Sequence, residues 1–236
     1  MRIAAIGDLQ CELDSVGLVT HLLHGIEHEA DILIMAGDLT NTGLPEEMEI
    51  LLRELKSIPL PKIAVAGNHD HESGQIDLLT EMMESSGITV LNGTTCEING
   101  VGFVGIKGFC GGFGDLLVKP FGEQALKIFI NTTVEEALRM EEATASLNTR
   151  HKVAILHYAP IKETIVGESP EIYPFLGTSL LADALDGHGV DVIFHGHAHN
   201  GSPHGFTPGG IPVYNVARFV RSRFGGHAYY VFDLAE

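Results

Sequence analysis

The residues best suited to chemistry in this 236-residue chain stand directly after short apolar runs that have the length and composition of buried β-strands. These residues are Asp8, Asp38, Asn68-His69-Asp70, His157 and His197-Ala198-His199. In open α/β sheets the carboxyl ends of the strands border one crevice, so residues scattered along the chain are expected to converge there. Carboxylate, amide and imidazole donors together suit Mn, Fe, Zn or Mg and not a thiolate-selected metal.

Each residue has an ordinary structural explanation when it is taken alone. An aspartate after a strand is commonly a helix N-cap, and a histidine near a core is more often hydrogen-bonded than bound to metal. The set is more informative, because a glycine stands before Asp8, Asp38 and Asn68 and lets the backbone turn sharply beside an ion. Two ions about 3.5–4 Å apart could clamp both reacting oxygens of a displacement at phosphorus, with one carboxylate bridging them.

Five short motifs occur in a fixed order between Asp8 and His199. They are GDLQ, GDLT, GNHD, a lone histidine after a strand, and GHAH. This series resembles that of the calcineurin-like metallophosphoesterases. The resemblance implies two divalent metal ions, with one held by Asp8, Asp38 and His199. The ligands that it implies for the other ion are Asp38, Asn68, His157 and His197.

The resemblance also assigns the catalytic roles. His69 matches the family's catalytic histidine, which stabilises the phosphorus centre or protonates the leaving oxygen, and Asp70 would orient its ring. Asp38 would bridge the ions, and a metal-bridging hydroxide would be the nucleophile. The reaction predicted is hydrolysis of a phosphodiester or pyrophosphate bond in a small, nucleotide-like phosphate ester.

Gln10 departs from the family pattern, whose first motif is usually Asp-x-His. A glutamine oxygen can coordinate, but it is a harder and weaker donor than imidazole, which favours manganese or magnesium at this position. The Asp-x-Gln variant resembles the manganese-dependent ADP-ribose and CDP-alcohol pyrophosphatases. The alternative is a degenerate site with a single metal in an interaction module, and the retained His69 favours an enzyme. A phosphomonoesterase or a protein phosphatase is a further alternative.

The apolar periodicity predicts an α/β fold. Strands are expected at 3–6, 32–36 and 63–66 in a parallel βαβαβ unit with helices from Ser15, from Pro45 and near Gln75. A hairpin over 94–106 turns at Asn99-Gly100 and starts a second sheet. Further strands are expected at 153–156, 190–194, 211–216 and 227–234. The resemblance and this pattern together predict one domain over 1–236, a four-layer αββα sandwich of two mixed β-sheets flanked by helices.

Two segments of the second half are less regular. Residues 107–122 are glycine-rich and predict an irregular loop, in which Phe109 and Phe113 either pack the loop down or face the crevice. A helix should follow, with Thr132-x-x-Glu135 as its capping box and Val134, Ala137, Leu138 and Leu147 as apolar positions along it. The roles of Arg218, Arg221 and Arg223 stay open between a phosphate contact and a solvated turn.

The composition indicates which classes of partner the chain can bind. The net charge of −17 and the lack of a basic cluster disfavour nucleic acid, whereas a small anionic substrate is compatible because bound cations reverse the local charge. Three cysteines without a CxxC pair indicate a reducing compartment, and no apolar run reaches membrane length. We therefore expect a cytoplasmic protein without membrane contacts, and the oligomeric state stays open.

Overall fold

The computed structural model describes residues 1–224 and 226–235, which form two β-sheets with helices on their outer faces. The strands are β1 (Arg2–Ile6), β2 (Ile32–Ala36), β3 (Lys62–Val65), β4 (Ile88–Val90), β5 (Thr94–Ile98), β6 (Val101–Ile106), β7 (His151–Leu156), β8 (Val192–His195), β9 (His204–Phe206), β10 (Pro212–Asn215) and β11 (Tyr230–Asp233). The helices are α1 (Leu18–Leu22), α2 (Ile26–Glu29), α3 (Pro45–Leu55), α4 (Ile76–Ser85), α5 (Gln124–Ser146), α6 (Tyr173–Leu176), α7 (Leu180–Asp183) and α8 (Arg218–Arg223).

Both sheets are mixed. The first has the order β11-β1-β2-β3-β4, in which β1 to β4 are parallel and β11 is antiparallel to β1. The second has the order β5-β6-β7-β8-β10-β9, with four parallel strands between the antiparallel β5 and β9. The predicted parallel unit and the start of a second sheet at the hairpin are confirmed, and Asn99 and Gly100 turn it with φ of 53° and 78°.

The alternation of side chains along the strands builds three apolar layers. In β2, Ile34 points between the sheets, whereas Leu33 and Met35 point toward α1 to α4. In β6, Phe103 joins the layer between the sheets, whereas Ile106 packs under α5 and α7. Helices therefore cover the outer face of each sheet, and the predicted four-layer αββα sandwich is confirmed.

Helix α5 begins earlier than the sequence pattern predicted. It starts at Gln124, so Thr132 lies inside the helix and its hydroxyl donates to the Ile128 carbonyl at 3.1 Å. The predicted capping box is therefore wrong, because a Thr-x-x-Glu spacing also occurs within a helix, where threonine bonds back to the preceding turn. Of the predicted apolar positions, Ala137 and Leu147 are buried, whereas Val134 and Leu138 are exposed, and Met140 lies on the buried face as well. Among the described helices, none is both long and apolar enough to cross a bilayer.

The segment after Ser15 is shorter in regular structure than expected. Two short helices, α1 and α2, replace one continuous helix, because Gly25 between them has a φ of 80°. Such a left-handed backbone interrupts a right-handed helix. The sequence pattern also missed β4 and β9, which have only three residues each. These differences lie away from the strand ends that carry the candidate ligands.

Candidate metal centre

The carboxyl ends of five strands meet at one edge of the sandwich, where β1, β2 and β3 of the first sheet face β7 and β8 of the second. Backbone hydrogen bonds join the two sheets there. Gly7 N donates to Val216 O at 2.8 Å, and Arg218 N donates to Gly7 O at 3.0 Å. Gly196 N donates to His157 O at 3.2 Å and ties the loop after β8 to the end of β7. The convergence expected from the sequence is therefore present in the structure.

Two groups of side chains at this edge could each hold a metal ion. The first ligand group is Asp8, Asp38 and His199, and the second ligand group is Asp38, His157 and His197. Within each group the ligand atoms lie within 4.8 Å of one another. Asp38 belongs to both groups, so its carboxylate is the ligand that the two groups share. The motif series implied the same residues for the first group and, for the second, these three residues together with Asn68; their binding of metal stays a prediction.

The first ligand group is built around the Asp8 carboxylate, which is fully buried. Its Oδ1 lies 3.0 Å from His199 Nε2, and both of its oxygens accept a hydrogen bond from His197 N at 3.0 Å. Arg223 Nη2 donates to the His199 carbonyl at 3.0 Å. The loop after β8 is thus held against the end of β1.

The second ligand group is built around His157, whose ring is fully buried. Its Nδ1 donates to Ala36 O at 2.9 Å, and its Nε2 lies 3.3 Å from Asp38 Oδ1 and 2.9 Å from Asn68 Oδ1. Because Nδ1 is committed to a carbonyl, Nε2 is the atom that faces the site. His197 has the opposite arrangement, since its Nε2 donates to a backbone carbonyl of α6 at 3.2 Å and leaves Nδ1 available.

In the second group, the Asp38 carboxylate and the His157 ring favour the charged form of each other. Burial opposes ionisation of Asp38, but attraction to the His157 imidazolium and their hydrogen bond hold the pKa of Asp38 well below its usual range. Burial likewise opposes charge on His157, and the Asp38 carboxylate nevertheless raises the pKa of His157 to about 9. Burial and the charge of His157 lower the pKa of His197 to about 3. The group therefore contains one buried ion pair and one neutral imidazole.

His69 lies at the open side of the site. Its backbone N donates to Asp38 Oδ1 at 2.8 Å, and its Nδ1 donates to the Asn41 carbonyl at 2.6 Å. Its Nε2 lies 3.9 Å from Asp38 Oδ2, and 37% of the side chain is exposed. A substrate in the crevice can therefore reach Nε2. Asn41, which fixes this orientation, was missed by the sequence analysis because it stands in a loop outside the motifs.

Asp70 does not orient the His69 ring, in contrast to the expectation. Its carboxylate is fully buried and accepts hydrogen bonds from Thr40 Oγ1 at 2.7 Å, Gly67 N at 2.8 Å, Thr40 N at 2.9 Å and Leu39 N at 3.1 Å. The ring of His69 instead takes its partner from the Asn41 carbonyl. Asp70 lies in the loop after β3, and its buried carboxylate binds the loop after β2 through Leu39 and Thr40. It therefore joins the two loops.

Gln10 lies beside His69 at the edge of the first ligand group. The Gln10 amide nitrogen is 3.5 Å from His69 Nε2, and Gln10 N donates to Asp38 O at 2.8 Å. The amide oxygen and nitrogen can exchange places by rotation, so either atom can face the crevice. Ligation by Gln10 remains a prediction.

Unusual backbone geometry is concentrated at this site. Among the described residues, non-glycine positions with positive φ are Asp8 (59°), Gln10 (45°), Asp38 (51°), Asn99 (53°) and His197 (69°). Asn99 is explained by the hairpin turn. The other four positions are candidate ligands, and a left-handed backbone there costs about 1–3 kcal/mol each. The surrounding fold thus holds the ligands in conformations that the chain alone would avoid.

The glycines of the motifs make room for neighbouring ligands. A Cβ atom on Gly37, whose φ is 84°, would overlap the His157 ring. A Cβ atom on Gly67 would overlap the Asp38 carboxylate. The sequence analysis expected close approach of the backbone to an ion, and the structure shows close approach to the side chains that would bind it.

The secondary candidates take structural positions. Phe109 packs on Phe129 with ring centroids 5.0 Å apart, and Phe113 packs against a small apolar cluster, so these two side chains pack their part of the loop down, whereas Leu116 and Phe121 farther along it are exposed. His195 is buried, and its Nε2 lies 2.8 Å from Thr164 Oγ1, so its ring is paired within the protein and belongs to neither ligand group. Tyr158 is buried, and its ring lies 4.3 Å from that of His197.

Asn215, at the carboxyl end of β10, is a further residue that shapes the site. Its Nδ2 donates to Ala198 O at 2.8 Å, and its Oδ1 accepts from Ala217 N at 3.1 Å. It therefore fixes the GHAH loop relative to α8. The sequence signal that located the ligands, a polar residue at a strand end, also applies to Asn215 and would have identified it.

Comparison with known protein families supports this site. A family model described as calcineurin-like phosphoesterase matches residues 1–201, a range that contains both ligand groups.

Individual relatives are distant. Glycerophosphodiester phosphodiesterase GpdQ of Enterobacter lignolyticus is 28% identical over 69 residues, which cover 29% of this chain and 25% of the relative. The match thus spans about a quarter of that curated protein. The crystal structure of the phosphopantetheinyl hydrolase PptH from Mycobacterium tuberculosis has a TM-score of 0.68 at 16% identity, with 98% of this chain and 95% of that chain covered. This structural likeness establishes the fold.

Proposed function

The chain belongs to the calcineurin-like phosphoesterase family, and on that premise we propose that it hydrolyses a phosphodiester or pyrophosphate bond with two divalent metal ions. The substrate class that we propose is a small, nucleotide-like phosphate ester. The observation that carries the proposal is the pair of ligand groups that share Asp38. A shared carboxylate can bridge two ions that lie about 3.5–4 Å apart in one site.

The donor set fits such ions. The Asp8 and Asp38 carboxylates are buried, and within the described residues their close basic partners are histidines, with no lysine or arginine nitrogen within 4.0 Å. A histidine gives up its cation when its nitrogen binds a metal, so a bound ion would take over the neutralisation of these buried carboxylates. Oxygen and imidazole donors suit Mn, Fe, Zn or Mg.

The assignment of ligands follows the two groups. Asp8, Asp38 and His199 would hold the first ion, with Gln10 as an additional oxygen donor that favours manganese. The residues that would hold the second ion are Asp38, Asn68, His157 and His197. Asn68 qualifies because its Oδ1 lies 2.9 Å from His157 Nε2, on the side that faces the site. When bound, the cations would lower the pKa of a water molecule and offset the charge on the phosphate.

His69 is the residue that we propose moves a proton. The Asn41 carbonyl can only accept a hydrogen bond, so Nδ1 of His69 carries a hydrogen and Nε2 is left for the substrate. In its protonated form, His69 would donate the Nε2 hydrogen to the leaving oxygen as the phosphorus–oxygen bond breaks. The bond between Nδ1 and Asn41 O keeps the ring in the orientation that this transfer needs.

The proposal is tested by hydrolysis of bis(p-nitrophenyl) phosphate. Metal-stripped protein is refilled with Mn, Mg, Zn or Fe, and metal content is measured on the same samples. We expect turnover with two bound ions and the highest rate with manganese. A single bound ion without turnover would contradict the dinuclear proposal and favour the degenerate site. Faster hydrolysis of p-nitrophenyl phosphate than of the diester would identify a phosphomonoesterase instead.

A further inference from the structure

Helix α8 carries three arginines close to the site, and they have different surroundings. The sequence alone did not separate them, because Arg218, Arg221 and Arg223 occur within six residues. The structure distinguishes them by the partners of each guanidinium.

Two of the three arginines are committed to the protein itself. Arg223 donates to the carbonyls of His199 at 3.0 Å and Gly201 at 3.1 Å, and to Asn200 Oδ1 at 3.3 Å. Arg221 lies over the Tyr230 ring, 4.7 Å from its centroid, and its Nε is buried without a hydrogen-bond partner among the described residues. Arg223 therefore stabilises the loop after β8, and Arg221 packs on the first sheet.

Arg218 is placed beside the first ligand group. Its Nε donates to the backbone carbonyl of Asp8 at 2.9 Å. Its guanidinium lies 4.3 Å from the centroid of the Phe219 ring, and that ring lies 4.5 Å from the His199 ring at an interplanar angle of 35°. The contacts with the Asp8 carbonyl and with Phe219, which packs on His199, hold the guanidinium beside the first ligand group.

The outer nitrogens of Arg218 are free for a ligand. Within residues 1–224 and 226–235, Nη1 and Nη2 have no hydrogen-bond partner and no carboxylate within 4.0 Å. Neither atom is among the buried unpaired nitrogens of these residues, so both reach solvent. Asp8 and Glu12 are the acidic residues near enough to influence this guanidinium. The side chain is half-buried, and an anion would offset the cost of partly removing the cation from water.

We propose that Arg218 donates hydrogen bonds from Nη1 and Nη2 to non-bridging oxygens of the phosphate group bound at the first ligand group. Arginine suits this role because one edge can hold the protein through Nε while the remaining donors form a planar fork for phosphate. The inference rests on the proposed function, since it names a substrate contact for the same site. It assigns substrate binding to one of three adjacent arginines.

The experiment compares Arg218→Lys and Arg218→Ala with Arg221→Lys, which retains a cation over Tyr230. All proteins are loaded with manganese, their metal content is measured, and kcat/KM and inhibition by inorganic phosphate are determined. We expect both Arg218 variants to lose about 10²-fold in kcat/KM and to bind phosphate about tenfold more weakly, with metal content unchanged. Arg221→Lys should stay within about twofold of the wild type.

Rescue separates a substrate contact from a merely structural role. Guanidinium ion, added far below the concentrations that unfold proteins, should restore part of the activity of Arg218→Ala and none of the activity of Arg223→Ala, whose loop contacts are lost. Arg218 variants with wild-type kcat/KM and phosphate affinity would overturn the inference. A loss of activity that only follows a loss of metal, without rescue, would also overturn it.

Failure of the proposed function is distinguishable from failure of this inference. If the wild type is inactive with every metal, the proposed function fails, and calorimetry with inorganic phosphate on the metal-loaded proteins then decides the role of Arg218. Weaker phosphate binding in Arg218→Lys than in Arg221→Lys would support the contact. Equal binding in the two variants would refute it.

Discussion

The two ligand groups share Asp38 but differ in how firmly their histidines are held. His157 of the second group is fully buried, and both of its ring nitrogens have partners within the protein. His199 of the first group has 32% of its side chain exposed, and its contact with Asp8 Oδ1 is made by Nε2 alone. The second group is therefore shaped before a metal arrives, whereas the first depends on surrounding loops.

The supporting residues show the same difference. The second group rests on the Ala36 carbonyl at the end of β2, which belongs to a fully buried strand. The first group rests on a contact from Arg223 of the short helix α8, which holds the His199 carbonyl. A preorganised site loses less conformational freedom on binding. We therefore expect the second group to bind its ion more tightly than the first and the first to be the more permissive in its choice of metal.

Replacing Asp38, the ligand that the groups share, should remove metal binding from both groups. Asp38→Ala removes a ligand from both, so we expect metal content to fall from two ions to none and hydrolysis to fall to the level of protein-free controls. Elemental analysis of the purified, refilled variant checks this prediction. Retention of two ions would show that Asp38 is not the bridge.

Replacing His69 should remove catalysis while leaving both groups intact. For His69→Ala we expect turnover to fall by about 10²–10⁴-fold with metal content unchanged, because the side chain lies outside both groups. Steady-state kinetics and elemental analysis on the same sample measure both quantities. Loss of an ion in this variant would make His69 a metal ligand instead of a proton donor.

Asp70→Asn is the matched comparison for His69→Ala, because the two residues are adjacent. Its carboxylate joins loops through Leu39, Thr40 and Gly67, so we expect the free energy of unfolding to fall by about 1.5–3 kcal/mol or more. Urea denaturation of the metal-free variant measures this loss. Unchanged stability with a kinetic loss equal to that of His69→Ala would restore the ring-orienting role for Asp70.

Metal binding by the second group should release a proton and depend on pH. In the metal-free protein the pKa of His157 is about 9, so at pH 7 its imidazolium must lose a proton before Nε2 can bind an ion, whereas His197, with a pKa of about 3, is already neutral. We expect release of about one proton as the second group fills, and an affinity that rises about tenfold per pH unit up to pH 9. Metal titration in weakly buffered solution at several pH values measures both effects.

The same pKa shift has a consequence for the metal-free protein. The pKa of His157 is raised on folding from its ordinary value of 6.5, so its contribution to stability is complete below about pH 6.5 and is lost as the pH rises through 9. Depression of the pKa of Asp38 keeps its carboxylate ionised throughout this range.

In the metal titration, equal affinity at pH 6 and pH 8 would show that the buried ion pair of Asp38 and His157 does not oppose metal binding.

The smallest effect that we predict is a change in metal preference when Gln10 is replaced. Gln10→His places an imidazole beside the first group, and we expect Zn affinity there to rise about tenfold relative to Mn, with the second group unaffected. Competition between the two metals, followed by elemental analysis, checks the preference. An unchanged ratio would show that residue 10 does not coordinate.

The sequence predicted which side chains converge at this edge, because their positions depend on simple regularities. Apolar runs marked β1, β2, β3, β7 and β8, and parallel strands bring their carboxyl ends together whatever loops lie between them. Asp38 appears in both ligand groups for that reason, as the motif series implied.

The partners of these ligands depend on loop paths that no local pattern specifies. The Asn41 carbonyl reaches His69 and the Asp70 carboxylate turns away from it, although Asp70 is adjacent in sequence. Arg218 bonds through Nε to the carbonyl of Asp8, 210 positions earlier, whereas Arg223 bonds to the loop after β8, and no local pattern specifies either contact. Helix α5 was misplaced because Thr132 and Glu135 match a capping pattern that the interior of a helix also permits.

Anomalous X-ray diffraction from crystals of the manganese-loaded protein tests the central claim most directly. We predict two anomalous peaks at the carboxyl edge of the sheets, both bonded to the Asp38 carboxylate, with His199 on one ion and His157 and His197 on the other. A single peak, or two peaks that do not share Asp38, would contradict the account.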